Sequence, residues 1–192
     1  MVTFGIGHDV SAEKKLKEMY SNISFYGADP STYMNKDLYE KELGGKYFEY
    51  AISGQSGRLN SRVFGKGGYR EEVTKGIGAD DFFADKVQKS KIDFLWIDVE
   101  GHEYPILDQL HHKGALDKKG VKICQMNVEM HKDTFKESLG EKKKFHDFVW
   151  NVLEDKRFIM LKPVFVIYKE KRFIRTFIVN VSDKECTELF LS

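Results

Sequence analysis

The sequence predicts an α/β fold: a mostly parallel central sheet flanked by helices, with an antiparallel last strand at one edge. Three observations carry that prediction. Short β-branched and aromatic runs alternate with stretches whose apolar residues recur at helical spacing, and strands joined through helices run parallel in a sheet covered on both faces. The last two β-rich runs have no helix between them, so they pair antiparallel. Glycines end the first run and an acid ends the second, the layout of a sheet that binds a ligand at its carboxyl edge. The 192 residues, 41% of them apolar, fit one domain with a real core.

Each element follows in turn. VTFGIG is a strand that runs into a tight turn. Leu16, Met19 and Tyr20 then share one helical face, with Ser11 or Asp9 as N-cap. ISFYGADP is a second strand, stopped by Asp29 and Pro30. STYMNKDLYEKELG is polar and helical and ends at Gly44 and Gly45. KYFEYAIS reads as the third strand. Residues 53–78 are glycine-rich and read as loops with a hairpin. ADDFFADKV is a short helix. Lys91 to Asp98 form the fourth strand and Tyr104 to His111 a helix. VKICQMNVEMH is the fifth strand. FKESLGEKKKFHDFVWNVLEDK is helical, with Phe145, Phe148, Val149 and Val152 at helical spacing. RFIMLKPVFVIYK and RFIRTFIVNV flank a charged turn, Lys169 to Arg172. No repeat or domain boundary is visible, so residues 1–192 read as one domain. The chain enters its first strand at Val2 with no lead-in, as a domain lacking an N-terminal segment does.

Composition excludes several classes. Charged residues make up 32% and nearly cancel to +1. A nucleic-acid protein shows a basic excess or stripe, so nucleic acid is not expected as a partner. Lys142, Lys143 and Lys144, with Glu137 and Glu141 nearby, read as a solvated helix face. Cys124 reads as a core residue and Cys186 as a residue among polar neighbours. Neither demands a disulfide framework or a metal site. No run has transmembrane length and no signal peptide is visible, so no membrane contact is expected and the cytoplasm is the default compartment.

The glycine turn and the acid after it point to a nucleoside-bearing ligand. Gly5 and Gly7 sit where strand one meets helix one, where a residue without Cβ lets backbone approach a ligand. Asp29 follows by about twenty residues, the spacing at which an acid reaches a ribose hydroxyl. The dinucleotide pattern G-x-G-x-x-G is incomplete, because Val10 stands at its third glycine. Asp9 would also repel a pyrophosphate. S-adenosylmethionine carries a ribose and a sulfonium but no phosphate, so it suits the turn better than NAD.

GIGHD, FYGADP, AISG and above all WIDVEGHEYPIL resemble the FkbM-type methyltransferases, a branch of the class I S-adenosylmethionine-dependent superfamily. QMNVEMH resembles the segment after strand five in nematode-like members. The likeness runs from Val2 to about Asn180 and is weak between Arg58 and Ile77. It implies a Rossmann-like sheet with an antiparallel last strand, and methyl transfer from S-adenosylmethionine, usually to oxygen. It also implies a small-molecule or glycan-like acceptor. By motif, Gly5, Gly7, Asp29, Ser53 in the AISG run, and Asp98 would hold the cofactor. Residues 98–103 would border the methyl group and the acceptor. Members generally carry a segment before strand one, which this sequence is expected to lack.

Methyl transfer needs alignment and, for a hydroxyl acceptor, a proton acceptor. Asp98, Glu100, His102 and His131 are the candidate catalytic residues. His102 and His131 compete as base, each against a surface-histidine reading. Asp98, Glu100, Glu129 and His131 come from adjacent strand ends, a set an oxygen-loving ion could use, but no metal is assigned. His111 and His112 read as a helix end, where positive charge is favoured. The rival functions are an NAD-dependent oxidoreductase and a non-catalytic or truncated methyltransferase-fold binding module.

Overall fold

The computed structural model describes residues 1–131, 139–168 and 171–190. Residues 135–138 of the expected helix, with Glu137 beside the lysine cluster, and residues 169–170 of the expected turn lie outside the described residues. The strands in chain order are β1 (Val2–Phe4), β2 (Tyr26–Ala28), β3 (Lys46–Phe48), β4 (Ala51–Ser53), β5 (Gly57–Gly65), β6 (Gly68–Gly78), β7 (Lys91–Ile97), β8 (Lys122–His131), β9 (Phe158–Met160), β10 (Val164–Tyr168) and β11 (Lys171–Asn180).

The main sheet runs β10-β11-β8-β7-β1-β2-β3, with β9 also on β11. Pairs from β8 through β3 are parallel, whereas β11 is antiparallel to β8 and to β10. The predicted sheet, with its antiparallel pair at one edge, is the sheet observed. Along β7 the residues alternate between two cores. Leu95 and Ile97 enter the larger one with Phe4, Phe82, Ile106 and Val128. Phe94 and Trp96 pack against the smaller one, with Ile6, Val10, Phe25 and Tyr39. A central strand covered on both faces is apolar at consecutive positions for this reason.

KYFEYAIS is not one strand. The chain turns after Phe48, where Tyr50 N–H bonds back to the Phe48 carbonyl at 3.0 Å. β4 then leaves the main sheet and pairs in parallel with β6, which with β5 makes a second, three-stranded sheet. Residues 53–78 are therefore mostly one long hairpin rather than loops.

The helices are α1 (Ser11–Met19), α2 (Asn35–Asp37), α3 (Ala79–Phe82), α4 (Glu103–Leu107), α5 (Ala115–Lys118), α6 (Leu139–Asp155) and α7 (Lys184–Phe190). α2 and α3 each run on into a π-helical turn, Leu38–Glu42 and Phe83–Val87. Asp9, not Ser11, receives the first amide of α1, at 2.8 Å. The expected apolar face of α1 is only partly used. Met19 and Tyr20 are exposed while Glu13 is 2% exposed, accepting the Thr3 hydroxyl at 3.0 Å. His111 and His112 do not end a helix as expected: α4 stops at Leu107 and both lie in the turns beyond it, where His112 meets Asp155 through its amide and ring.

Cys124 and Cys186 are bonded to each other, with 5.1 Å between their α-carbons. The sequence reading of two unrelated cysteines is thus corrected. Both are buried, because α7 folds back onto β8 and carries Cys186 inside.

Candidate active site

The carboxyl ends of β1, β2 and β7 open into a cleft whose empty space, counted out into open solvent, is about 560 Å³. Gly5, Gly7, Asp29, Asp98, Glu100 and His102 all line it. Ser53 and His131 do not, although each touches a residue that does. The hairpin forms the far wall through Ser61 to Phe64 and Tyr69.

The two glycines serve different ends. Gly5 has φ +81°, and a Cβ there would overlap the Asp98 carbonyl. It is glycine because the ends of β1 and β7 meet. Gly7 has φ +63° and no neighbour within 4 Å of a Cβ position, so it keeps open the space beside the turn. Asp29 fixes that turn from below. Its Oδ2 accepts the Ile6 amide at 2.9 Å and its Oδ1 the Ser31 amide at 2.7 Å. Burial pushes its pKa up against the pull of these amides. An open cradle beside Gly7, an acid at the end of β2 and a second acid at the end of β7 fit a ribose-bearing, cationic cofactor.

Glu103 organises the loop after β7. Its side chain is fully buried. It accepts the amides of Val99 and Gly101 at 3.0–3.2 Å and meets His131 Nδ1 at 2.8 Å. Glu100 in that loop has φ +51°, a conformation few non-glycine residues adopt outside functional or tightly determined sites. His131 Nε2 lies 3.7 Å from Asp98 Oδ1.

This grouping sets the charges. Burial works against a charged His131, but the hydrogen bond and charge of Glu103, with Asp98 and Glu100, prevail and push its pKa to about 9. Asp98 keeps 45% of its side-chain surface open, yet its Oδ1 is enclosed without a hydrogen-bond partner. Burial raises its pKa to about 7, opposed by His131 and assisted by Glu129, Glu100 and Glu103. The ring nitrogens of His102 are both engaged. Nε2 donates to the Asn60 carbonyl at 3.1 Å, which leaves Nδ1 to accept from the Ser53 hydroxyl at 3.3 Å. As placed, His102 fastens the hairpin to the β7 loop.

Asp98, Glu129 and His131 can each bring one ligand atom within 4.8 Å of the others. Glu129 is already paired with Arg175 and His131 with Glu103. The sequence reading missed the organising role of Glu103. Its signal was a glutamate opening a helix behind a glycine, where free amides collect.

The sequence profile of the methyltransferase FkbM domain matches residues 1–177. The chain belongs to the FkbM methyltransferase family. It carries a methyltransferase domain of the S-adenosylmethionine-dependent kind. No curated protein matches the chain. Among solved structures it is similar to M. capricolum TrmK in complex with the cofactor product S-adenosyl-homocysteine. Identity is 13% and the TM-score 0.49, over 94% of this chain and 61% of that one. A second is the W203A mutant of the 16S rRNA (adenine(1408)-N(1))-methyltransferase from Catenulisporales acidiphilia. Identity is again 13%, with a TM-score of 0.39 over 95% and 85% of the two chains. The FkbM-domain chain thus spans about three fifths of TrmK.

These findings correct the expected partners. One of the similar proteins is named for ribosomal RNA, so the exclusion of nucleic acid is withdrawn, and so is the small-molecule or glycan-like acceptor. The exclusion rested on a net charge of +1, which averages over a chain whose charge is unevenly placed.

Proposed function

We propose that this FkbM-domain chain binds S-adenosylmethionine in the cleft and transfers its methyl group to an acceptor oxygen. The observation that carries the reading is the gathering of Gly7, Asp29 and Asp98 on one cleft at the strands' carboxyl ends. S-adenosylmethionine, when bound, supplies a methyl group on a positively charged sulfur with a neutral thioether as leaving group. Gly7 leaves room for the ligand's body, and Asp29 holds the turn and offers its carboxylate edge to the ribose. Asp98 takes the acceptor's proton as the new oxygen–carbon bond forms. A base with a pKa near the working pH suits that task, and Asp98 is placed near 7. His131, positively charged below about 9, steadies the carboxylate, so it acts as the partner of the base. Glu100 borders the acceptor from the β7 loop.

Calorimetric titration of the purified chain with S-adenosylmethionine, and separately with NAD, tests this. Saturable binding of S-adenosylmethionine is expected, with no response to NAD. Gly7→Val fills space that no described neighbour occupies and should weaken binding about tenfold or more, the equivalent of ~1.4 kcal/mol. Asp29→Ala should weaken it as well. Binding of NAD alone, or S-adenosylmethionine binding indifferent to both changes, refutes the reading.

A further inference from the structure

The outer face of the β5–β6 hairpin is charged and open. Directly opposed residues of an antiparallel pair share a face. The register therefore puts Arg58 with Lys75, Arg62 with Glu71, and Phe64 with Tyr69 on one side. The other side buries Ser61, Val63 and Thr74. On the open side Arg58, Asn60, Tyr69, Val73 and Lys75 are exposed. Across the hairpin, Arg58, Arg62, Lys66, Arg70 and Lys75 stand against Glu71 and Glu72, which is +3 in a chain whose total is +1.

A row of rings starts where this face meets the cleft wall, at Tyr69 and Phe64, and runs past the glycine turn. Tyr69 and Phe64 have ring centres 4.8 Å apart, Phe64 and His8 4.6 Å, and His8 and Tyr33 5.4 Å. The Arg62 guanidinium sits 4.9 Å from the centre of the Tyr69 ring. Tyr69 and Tyr33, at the two ends, keep more than two fifths of their surface open. His8 directly follows Gly7, so the row passes the cofactor turn.

Rings interleaved with cations recognise unpaired nucleotides, the bases stacking and the phosphates meeting the charges. A duplex offers no free base face to such a row. Inside the cleft the balance reverses: Asp29, Asp98 and Glu100 line it against Arg62 of the hairpin wall. Phosphates are kept on the hairpin, and a sugar hydroxyl is the group that carboxylates accept. We propose that the hairpin and its ring row form a platform for single-stranded RNA, which presents a ribose 2′-hydroxyl to Asp98. This rests on the cofactor occupying the cleft as proposed above.

The test is fluorescence anisotropy with a short labelled single-stranded RNA, the same sequence as duplex RNA, and the same sequence as DNA. Calorimetry with S-adenosylmethionine is run on the same protein. Saturable binding of the single-stranded RNA is expected, with duplex and DNA about tenfold weaker or more. Tyr69→Ala should cost about tenfold, as loss of one stacking partner does, while Tyr69→Phe keeps the ring and the binding. Arg58→Gln with Lys66→Gln should flatten the salt dependence between about 50 and 200 mM. Protein that binds S-adenosylmethionine but not the RNA overturns this inference alone. Equal binding of duplex or DNA, or no loss in Tyr69→Ala, overturns it too. Failure to bind either ligand overturns the cofactor reading and, with it, this one.

Discussion

Glu103 reaches His131 across 2.8 Å from a fully buried position, and His131 in turn faces Asp98. Removing the charge of Glu103 while keeping its shape should therefore be felt two residues away. In Glu103→Gln the pKa of His131 should fall from about 9 toward the ordinary histidine range, read by NMR titration of the imidazole; an unchanged titration would show that the pair does not control it. The sign for stability follows. A histidine raised from 6.5 to about 9 lends stability that is complete below pH 6.5 and lost as pH rises through 9. A carboxyl raised from 3.8 to about 7 acts in the same sense: its contribution is present below 3.8 and lost as pH rises through 7. Ionised Asp98 is thus a cost to the fold at pH 8. Asp98→Asn should melt at a higher temperature than the parent at pH 8, with the gap closing toward pH 4. It should also lose methyl transfer about a hundredfold or more, the usual range for a general base. A variant that is less stable at pH 8 would mean that the carboxylate is held by groups other than those named.

At the scale of elements, contacts among the described residues fasten the hairpin to the β7 loop, His102 to Asn60 being the first and Tyr69 to Glu100 the second. His102→Ala removes the first and leaves the cleft's glycine turn untouched. A single such hydrogen bond is worth about 1 kcal/mol, too little to unfold the protein but enough to free an arm. Hydrogen exchange of the β5 and β6 amides should accelerate in His102→Ala while β1 and β7 stay protected. Uniform exchange in both proteins would remove His102 as a fastener. The sequence disclosed these elements unequally. β7 was legible because eight residues in a row, Lys91 to Asp98, five of them apolar or aromatic, have no other place than mid-sheet. The break at Tyr50 was not, because β4 owes its existence to β6, twenty-odd residues away, and local pattern carries no trace of a distant partner. α1 misled for a related reason. Its apolar residues suggested a face, but the buried position went to Glu13, which is held by Thr3 on the strand beneath. Within the site, the glycines and acids were legible as types at strand ends. The division of labour between Asp98 and His131 was not, since it depends on Glu103 meeting His131 from another element.

At the scale of the whole molecule, two sequence averages concealed local order. The net charge of +1 hid a basic hairpin above an acidic cleft, an arrangement visible only when Arg58, Arg62 and Lys75 are seen to share a face. The two cysteines lie 62 residues apart, and neither has a neighbour in sequence that suggests the other. Their bond ties α7 to β8, next to β11 and far along the chain from the cleft's glycine turn. Closing a loop of that length restricts the unfolded chain by roughly 4 kcal/mol in the entropic account. Disulfides of this kind persist in oxidising compartments, so the bond is an argument against the cytoplasm as a default. Full reduction with a thiol under mild denaturation, or Cys186→Ser, should lower the melting temperature by several degrees. Calorimetric binding of S-adenosylmethionine by the folded protein at low temperature should be unchanged, because none of the described residues lining the cleft belongs to α7 or β8. Cys124 is buried in β8 within the main sheet and Cys186 sits on α7, so Cys186→Ser is the cleaner change. If it melts with the parent in oxidising buffer, the two sulfurs are not joined in solution. If it also loses the cofactor, the C-terminal helix supports the site through the sheet.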